Sequence, residues 1–202
     1  MPEASMPEMR LPPARRMALA DEDAGQVAHA AGGPVGIRLL PPVARFSLRL
    51  SPALLGRATS VAGFALELPI NRCQIAAGKR ALRLGPDEWL LCGPQTAAAE
   101  IVRDAEAALG NLHHAFVDLS HAHIALSVAG PQAAEVINSG CPLDLSPSAF
   151  PPGAATRTLL GKAEIILSRW EEMAAFEVEC ARSLAAYVQE FLAAAAARPP
   201  DV

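Results

Sequence analysis

The sequence predicts an α+β domain built from two pseudo-repeated βαββα halves, with antiparallel sheets covered by helices. Three observations lead to it. Segments of alternating polarity come in adjacent pairs separated by turn residues, the pattern of antiparallel hairpins. Two apolar helical stripes, at about 95–109 and 183–196, stand at matching places in the two passes. Gly78-Lys79 precedes a hairpin in the first pass, and Gly161-Lys162 sits at the corresponding place in the second.

Arg45 to Leu50 (RFSLRL) alternates as a half-buried strand does. Ser51 and Pro52 suit the N-cap and first position of a short helix ending near Gly63. Arg80–Leu84 and Glu88–Cys92 read as strands joined by the turn Gly85-Pro86-Asp87. Gly93-Pro94 opens a helix whose stripe is Ile101, Val102, Ala105 and Leu109, and Gly110 stops it. In the second pass His121 to Val128 reads as a strand. Gly130-Pro131 opens a short helix through Ile137, and Asn138-Ser139-Gly140 ends it. A Pro-rich loop follows to Gly153. Thr156–Leu160, Ala163–Arg169 and Ala175–Glu179 are strand candidates. Ser183 is expected to cap a helix with the face Leu184, Tyr187, Val188, Phe191 and Leu192.

The ends differ in character. Residues 1–42 hold seven of the 18 prolines and no apolar periodicity, so they read as a flexible Pro-rich arm. Residues 43–197 form the domain, and 198–202 a frayed tail. The 202 residues are 51% apolar but only 4% aromatic, so the core must be aliphatic. A net charge of −4 gives no basic surface to track a phosphate backbone, which argues against nucleic acid. No apolar run is long enough to span a bilayer. The first twenty residues lack the apolar stretch of a secretory signal, and the four cysteines are widely spaced. Both features point to reduced thiols and a cytoplasmic chain.

Five stretches carry a resemblance: ALRLGPDEWLL (Ala81 to Leu91), VDLSHAHIAL (Val117 to Leu126), GCPLDLSPSAFPPG (Gly140 to Gly153), TLLGKAEIIL (Thr158 to Leu167) and RSLAAYVQEFL (Arg182 to Leu192). In this order and spacing the chain, from about Phe46 onward, resembles the gamma subunit of heterotetrameric sarcosine oxidase. That family is similar in fold to the tetrahydrofolate-binding domain of the aminomethyltransferases. The resemblance implies a complex of alpha, beta, gamma and delta subunits. Such a complex oxidises sarcosine to glycine, releases hydrogen peroxide and passes the one-carbon unit to tetrahydrofolate. It implies that FAD, FMN, NAD and tetrahydrofolate lie on the partner subunits, with none on this chain. The alpha subunit would be the main contact. The chain departs from the family in its long Pro-rich arm and in Leu184, where the family often has an aromatic residue.

The residues offer several candidate sites. His113, His114, His121 and His123 cluster with Asp118, a density that invites a metal. His121 and His123, two apart in a strand, would share a face, yet no third ligand stands at a suitable spacing. A polar strand face or subunit contact is the competing reading. Asp87 and Glu88 form an acidic pair beside Trp89, at a turn where carboxylates are normally solvated. Asp118, Ser120 and His121 bring triad residue types together without a nucleophile elbow. Ser120 suits a turn bond instead. Cys141 follows a helix stop and is expected to be buried. There is no Gly-rich phosphate loop. The expectation is therefore no catalytic, cofactor-binding or metal residue on this chain. Two alternatives stay open: a stand-alone folate-dependent one-carbon transferase or folate-binding protein, and a small metal-binding domain built on the histidines.

Overall fold

A computed structural model describes residues 35–170 and 175–197. In chain order its strands are β1 (Gly36–Leu39), β2 (Ala44–Leu50), β3 (Ser60–Val61), β4 (Phe64–Ala65), β5 (Arg72–Ala76), β6 (Lys79–Arg83), β7 (Glu88–Gly93), β8 (His114–Asp118), β9 (His123–Ala129), β10 (Ala155–Leu160), β11 (Ala163–Arg169) and β12 (Ala175–Ala181). The α-helices are α1 (Ala98–Leu109), α2 (Ala133–Asn138) and α3 (Ala185–Ala196). Among the described residues, two five-stranded antiparallel sheets dominate. One runs β5-β6-β7-β2-β8 and the other β10-β11-β12-β9-β1. The orders correspond position by position: a hairpin pair, a third consecutive strand, then the strand that opens that half. The outermost strand of each sheet comes from ahead of the other half, so β8 lies beside β2 and β1 beside β9.

Alternation in each strand sends one row of side chains to a helix-covered face and the other row towards the opposite sheet. In β2, Phe46, Leu48 and Leu50 join Trp89, Leu91 and the α1 stripe Ile101, Ala105 and Leu109 in one apolar cluster. In β9, Ile124, Leu126 and Val128 join Val178, Val188 and Leu192 beneath α2 and α3. A third, smaller cluster of Leu82, Leu90, Cys92, Ala155 and Ile166 lies between the sheets. Strands β7 and β12 are therefore buried on both faces. Where β5 and β10 meet, the Cys73 N–H donates to Gly153 O (2.8 Å) and the Ala155 N–H to Asn71 O (3.0 Å).

Several sequence expectations need correction. Residues 1–34 of the arm and 198–202 of the tail lie outside the described residues, but the end of the arm is not loose: Gly36–Leu39 is strand β1, paired with β9. Val35, Ile37 and Leu39 are buried, a short alternation masked by neighbouring prolines. The helix expected from Ser51 to Gly63 is a 3-10 segment at Pro52–Arg57. The chain then turns through Ala62 (φ 49°) and Gly63 (φ 79°) into the β3–β4 hairpin. Strand β5 escaped notice because its residues lie mostly exposed on a sheet edge. Ser183 does not cap the last helix. It lies inside a 3-10 turn, Arg182–Leu184, from which α3 grows without a side-chain cap. The strand expected from His121 begins at His123.

Candidate functional site

The histidine-rich stretch is largely a connection between the two sheets. His113 is exposed, and His114 holds Leu112 O through Nδ1 at 2.7 Å. Asp118 Oδ1 accepts the Ser120 N–H (2.7 Å), closing a side-chain turn, and Ser120 Oγ accepts the Arg45 N–H from β2 (2.9 Å). Asp118, Ser120 and His121 thus do not converge as a triad. His121 sits exposed in the turn, while His123 is the first residue of β9 and points between the sheets. The pair expected on one strand face is split, because the strand starts two residues late. No group of three or more His, Cys, Asp or Glu among the described residues could hold a metal.

What His123 meets is a carboxylate. Its Nδ1 lies 2.9 Å from Glu179 Oε1 on β12, and the Arg45 guanidinium of β2 donates from Nε to Glu179 Oε2 at 2.9 Å. Arg45 is 1% exposed and Glu179 3%, so this ion pair joins the two sheets out of reach of water. Burial pushes the Glu179 carboxyl up. The His123 hydrogen bond and the Arg45 charge outweigh it and hold the group below the ordinary carboxylate range. Two residues along β12, Glu177 takes hydrogen bonds on Oε2 from Arg80 of β6 and from the Trp170 Nε1–H (3.1 Å). Here burial dominates over Arg80, and the carboxyl lies above its ordinary value.

Glu88 corrects the reading of the acidic pair. Asp87 is solvated and pairs loosely with Arg49, but Glu88 is buried, bridging Arg49 (3.0 Å) and Arg157 of β10. It is a third ionic link between the sheets. Trp89 turns the other way into the core, and its Nε1–H donates to Leu66 O (3.1 Å). Cys141 is buried, with Sγ 3.7 Å from Thr158 Oγ1. Sequence reasoning missed Arg45, Glu177 and Glu179 altogether. The one signal available was charge at inward positions of strands whose alternate residues are apolar. Beside Glu177 a cavity of about 820 Å³ opens between the sheets.

The sequence and the fold have known counterparts. The sarcosine oxidase gamma subunit family matches residues 51–198. The chain belongs to that family. It is 32% identical over 168 residues to the sarcosine oxidase subunit gamma of Corynebacterium sp. strain U-96, covering 82% of this chain and 80% of the relative. To the subunit of the same name from Arthrobacter sp. it is 33% identical over 145 residues, 69% of this chain and 70% of the relative. Its fold matches a chain of the heterotetrameric sarcosine oxidase from Corynebacterium sp. U-96 with a TM-score of 0.79 and 28% identity, over 93% of this chain and 98% of that one. A weaker likeness joins this gamma-family chain to the glycine cleavage system aminomethyltransferase T from Bartonella henselae. The TM-score is 0.58 at 15% identity, covering 79% of this chain and 45% of that one, and it shows the fold alone. No helix among the described residues is long and apolar enough to cross a membrane.

Proposed function

We propose that this chain works as the gamma subunit of a heterotetrameric sarcosine oxidase, docking and stabilising its partners without an active site of its own. The observation that carries the reading is the structural likeness to a chain of that complex, which extends over 98% of the other chain. The chemistry between the sheets supports it. The buried carboxylates Glu88, Glu177 and Glu179 are each tied to an arginine on the opposing sheet, which suits a latch rather than an acid or base. The turns at Gly93-Pro94-Gln95 and Gly130-Pro131-Gln132 offer no glycine-rich phosphate cradle. In this reading FAD, FMN, NAD and tetrahydrofolate sit on the partner subunits. The alpha subunit is the main contact, beta and delta complete the complex, and the assembly is cytoplasmic.

Co-expression with and without this chain tests it. The chain alone should show no flavin spectrum, no oxidase activity and no stoichiometric zinc or iron, and the complex should lose stability without it. Turnover of an N-methyl amine by the isolated chain, or a complex that assembles and runs normally without it, would overturn the reading. The corresponding sheet orders further lead us to infer two copies of one unit. Superposing residues 45–110 on 121–196 should lay α1 on α3 and the β6–β7 hairpin on β11–β12. Failure of both would remove that inference.

A further inference from the structure

The cavity of about 820 Å³ lies at one end of the gap between the sheets. Its size suits a small organic ligand. Its floor follows from strand register. Arg38 of β1 pairs with Ser127 of β9, and Ser127 pairs with Glu177 of β12. The three residues form one row on the same face of the sheet, and all three line the cavity. Arg38 and Glu177 thus stand two strand spacings apart, about 10 Å between Cα atoms, with a hydroxyl between them. The walls add Leu40, Ile75 and Trp170. Ile75 is 55% exposed, an apolar side chain at the rim with water beside it.

The polar groups are unevenly satisfied. Glu177 is nine-tenths buried, and both of its hydrogen bonds, from Arg80 and Trp170, fall on Oε2. Among the described residues Oε1 has no donor. Arg38, at the other end of the row, is exposed and has no ion pair or hydrogen bond with any described side chain. Arg80 is held by Glu177 and stacks over the Trp170 ring at 5.3 Å, so it is already committed. A carboxylate oxygen that faces a cavity is open to a donor from a ligand. A guanidinium at the rim calls for an acid.

We propose that this cavity binds a small zwitterion, an amino carboxylate whose ammonium meets Glu177 Oε1 and whose carboxylate meets Arg38. The charges select for both ends together. Among the described residues the charged lining is Arg38 and Arg80 against Glu177, a net positive set that disfavours a simple amine. A simple carboxylate leaves Glu177 Oε1 without a donor from the ligand. The methylene chain between the two ends lies over Ser127 against Leu40 and Ile75. The site is a binding site, and it stands whether or not the chain acts within the oxidase complex.

The test is titration of the full-length chain, purified with any subunits that accompany it, using δ-aminovalerate, valerate and pentylamine as probes. This zwitterion, with about 1.5 Å per bond, is comparable in length to the roughly 10 Å between the Arg38 and Glu177 Cα atoms once a hydrogen bond is made at each end. Calorimetry and quenching of Trp170 fluorescence are the readouts. The zwitterion should bind at least about ten-fold more tightly than either single-charge probe. Arg38→Ala should abolish that preference, and Glu177→Gln should reduce the zwitterion to the affinity of valerate. Arg38 is exposed, so its variant stays informative even if Glu177→Gln folds poorly. Equal binding of all three probes, no saturable binding in the millimolar range, or unchanged affinity in Arg38→Ala would each overturn the proposal.

Discussion

Replacing Arg45 with Met would leave the Glu179 carboxylate sealed between the sheets with the His123 ring, at 2.9 Å, as its hydrogen-bond partner. Arg45 and Glu179 are almost wholly buried, so solvent screening does not soften the loss. Removing one partner of such a pair costs about 3–5 kcal/mol. Against a total stability of about 5–15 kcal/mol, this is a large share. With a urea slope of about 2 kcal/mol/M, the unfolding midpoint should fall by roughly 2 M. The double variant Arg45→Met/Glu179→Leu removes both charges and should recover most of that loss, since apolar replacement of a buried pair is often neutral or better. The sign of the pH dependence follows from the lowered Glu179 carboxyl. Its contribution is full above the unfolded carboxyl value of about 4.3 and is lost as pH falls through the lower folded value. The gap between the native chain and Arg45→Met should therefore narrow in acid. Urea unfolding followed by tryptophan fluorescence reads all three quantities. A loss below about 1 kcal/mol in Arg45→Met, or a double variant no better than the single, would refute the latch argument.

Three further outcomes are expected. Gly161 has φ +58°, and a Cβ there would collide with Tyr187 Oη, which accepts the Lys162 N–H at 3.0 Å. Gly161→Ala should destabilise by about 2–4 kcal/mol, whereas Gly56→Ala, with nothing within 4 Å, should stay within about 0.5 kcal/mol, both read by thermal melts. Burial raises the Glu177 carboxyl, so the stability linked to it is full below about 4.3 and is lost as pH rises through the higher folded value. Glu177→Gln should flatten the stability–pH curve across that window, and an unchanged slope would count against it. Burial pushes the Cys92 and Cys180 thiols to about 12, so neither should react with a disulfide reagent at mildly alkaline pH until the chain unfolds. Half-buried Cys73 should react first, as peptide mapping would show.

Some of this architecture was legible because its signals are local. The alternation of Phe46, Leu48 and Leu50, the stripe Ile101, Ala105 and Leu109, and the turn Gly85-Pro86-Asp87 each lie within a dozen residues. The strands β6, β7, β10 and β11 fall within a residue or so of their expected ends. Strand β1 was misread because four residues beside prolines give too short a pattern, and its burial depends on pairing with β9. Strand β5 carries a weak pattern because an edge buries little. The histidines drew attention by their density, yet His121 and His123 part company at a strand boundary that sequence cannot place to the residue.

The sequence by itself determined the α+β class, the β6–β7 and β10–β11 hairpins, the stripes of α1 and α3, and the family motifs, since periodicity and turn chemistry are written in consecutive residues. The partners of its charges were decided only by tertiary structure. Arg45 and Glu179 are 134 residues apart, and nothing near either one marks the other. Stacking the two sheets brings them to 2.9 Å, and strand pairing within one sheet draws Arg38, Ser127 and Glu177 into one row. The physical reason is that a salt bridge or a cavity between sheets depends on strand pairing and sheet packing, neither of which has a local signature in the chain.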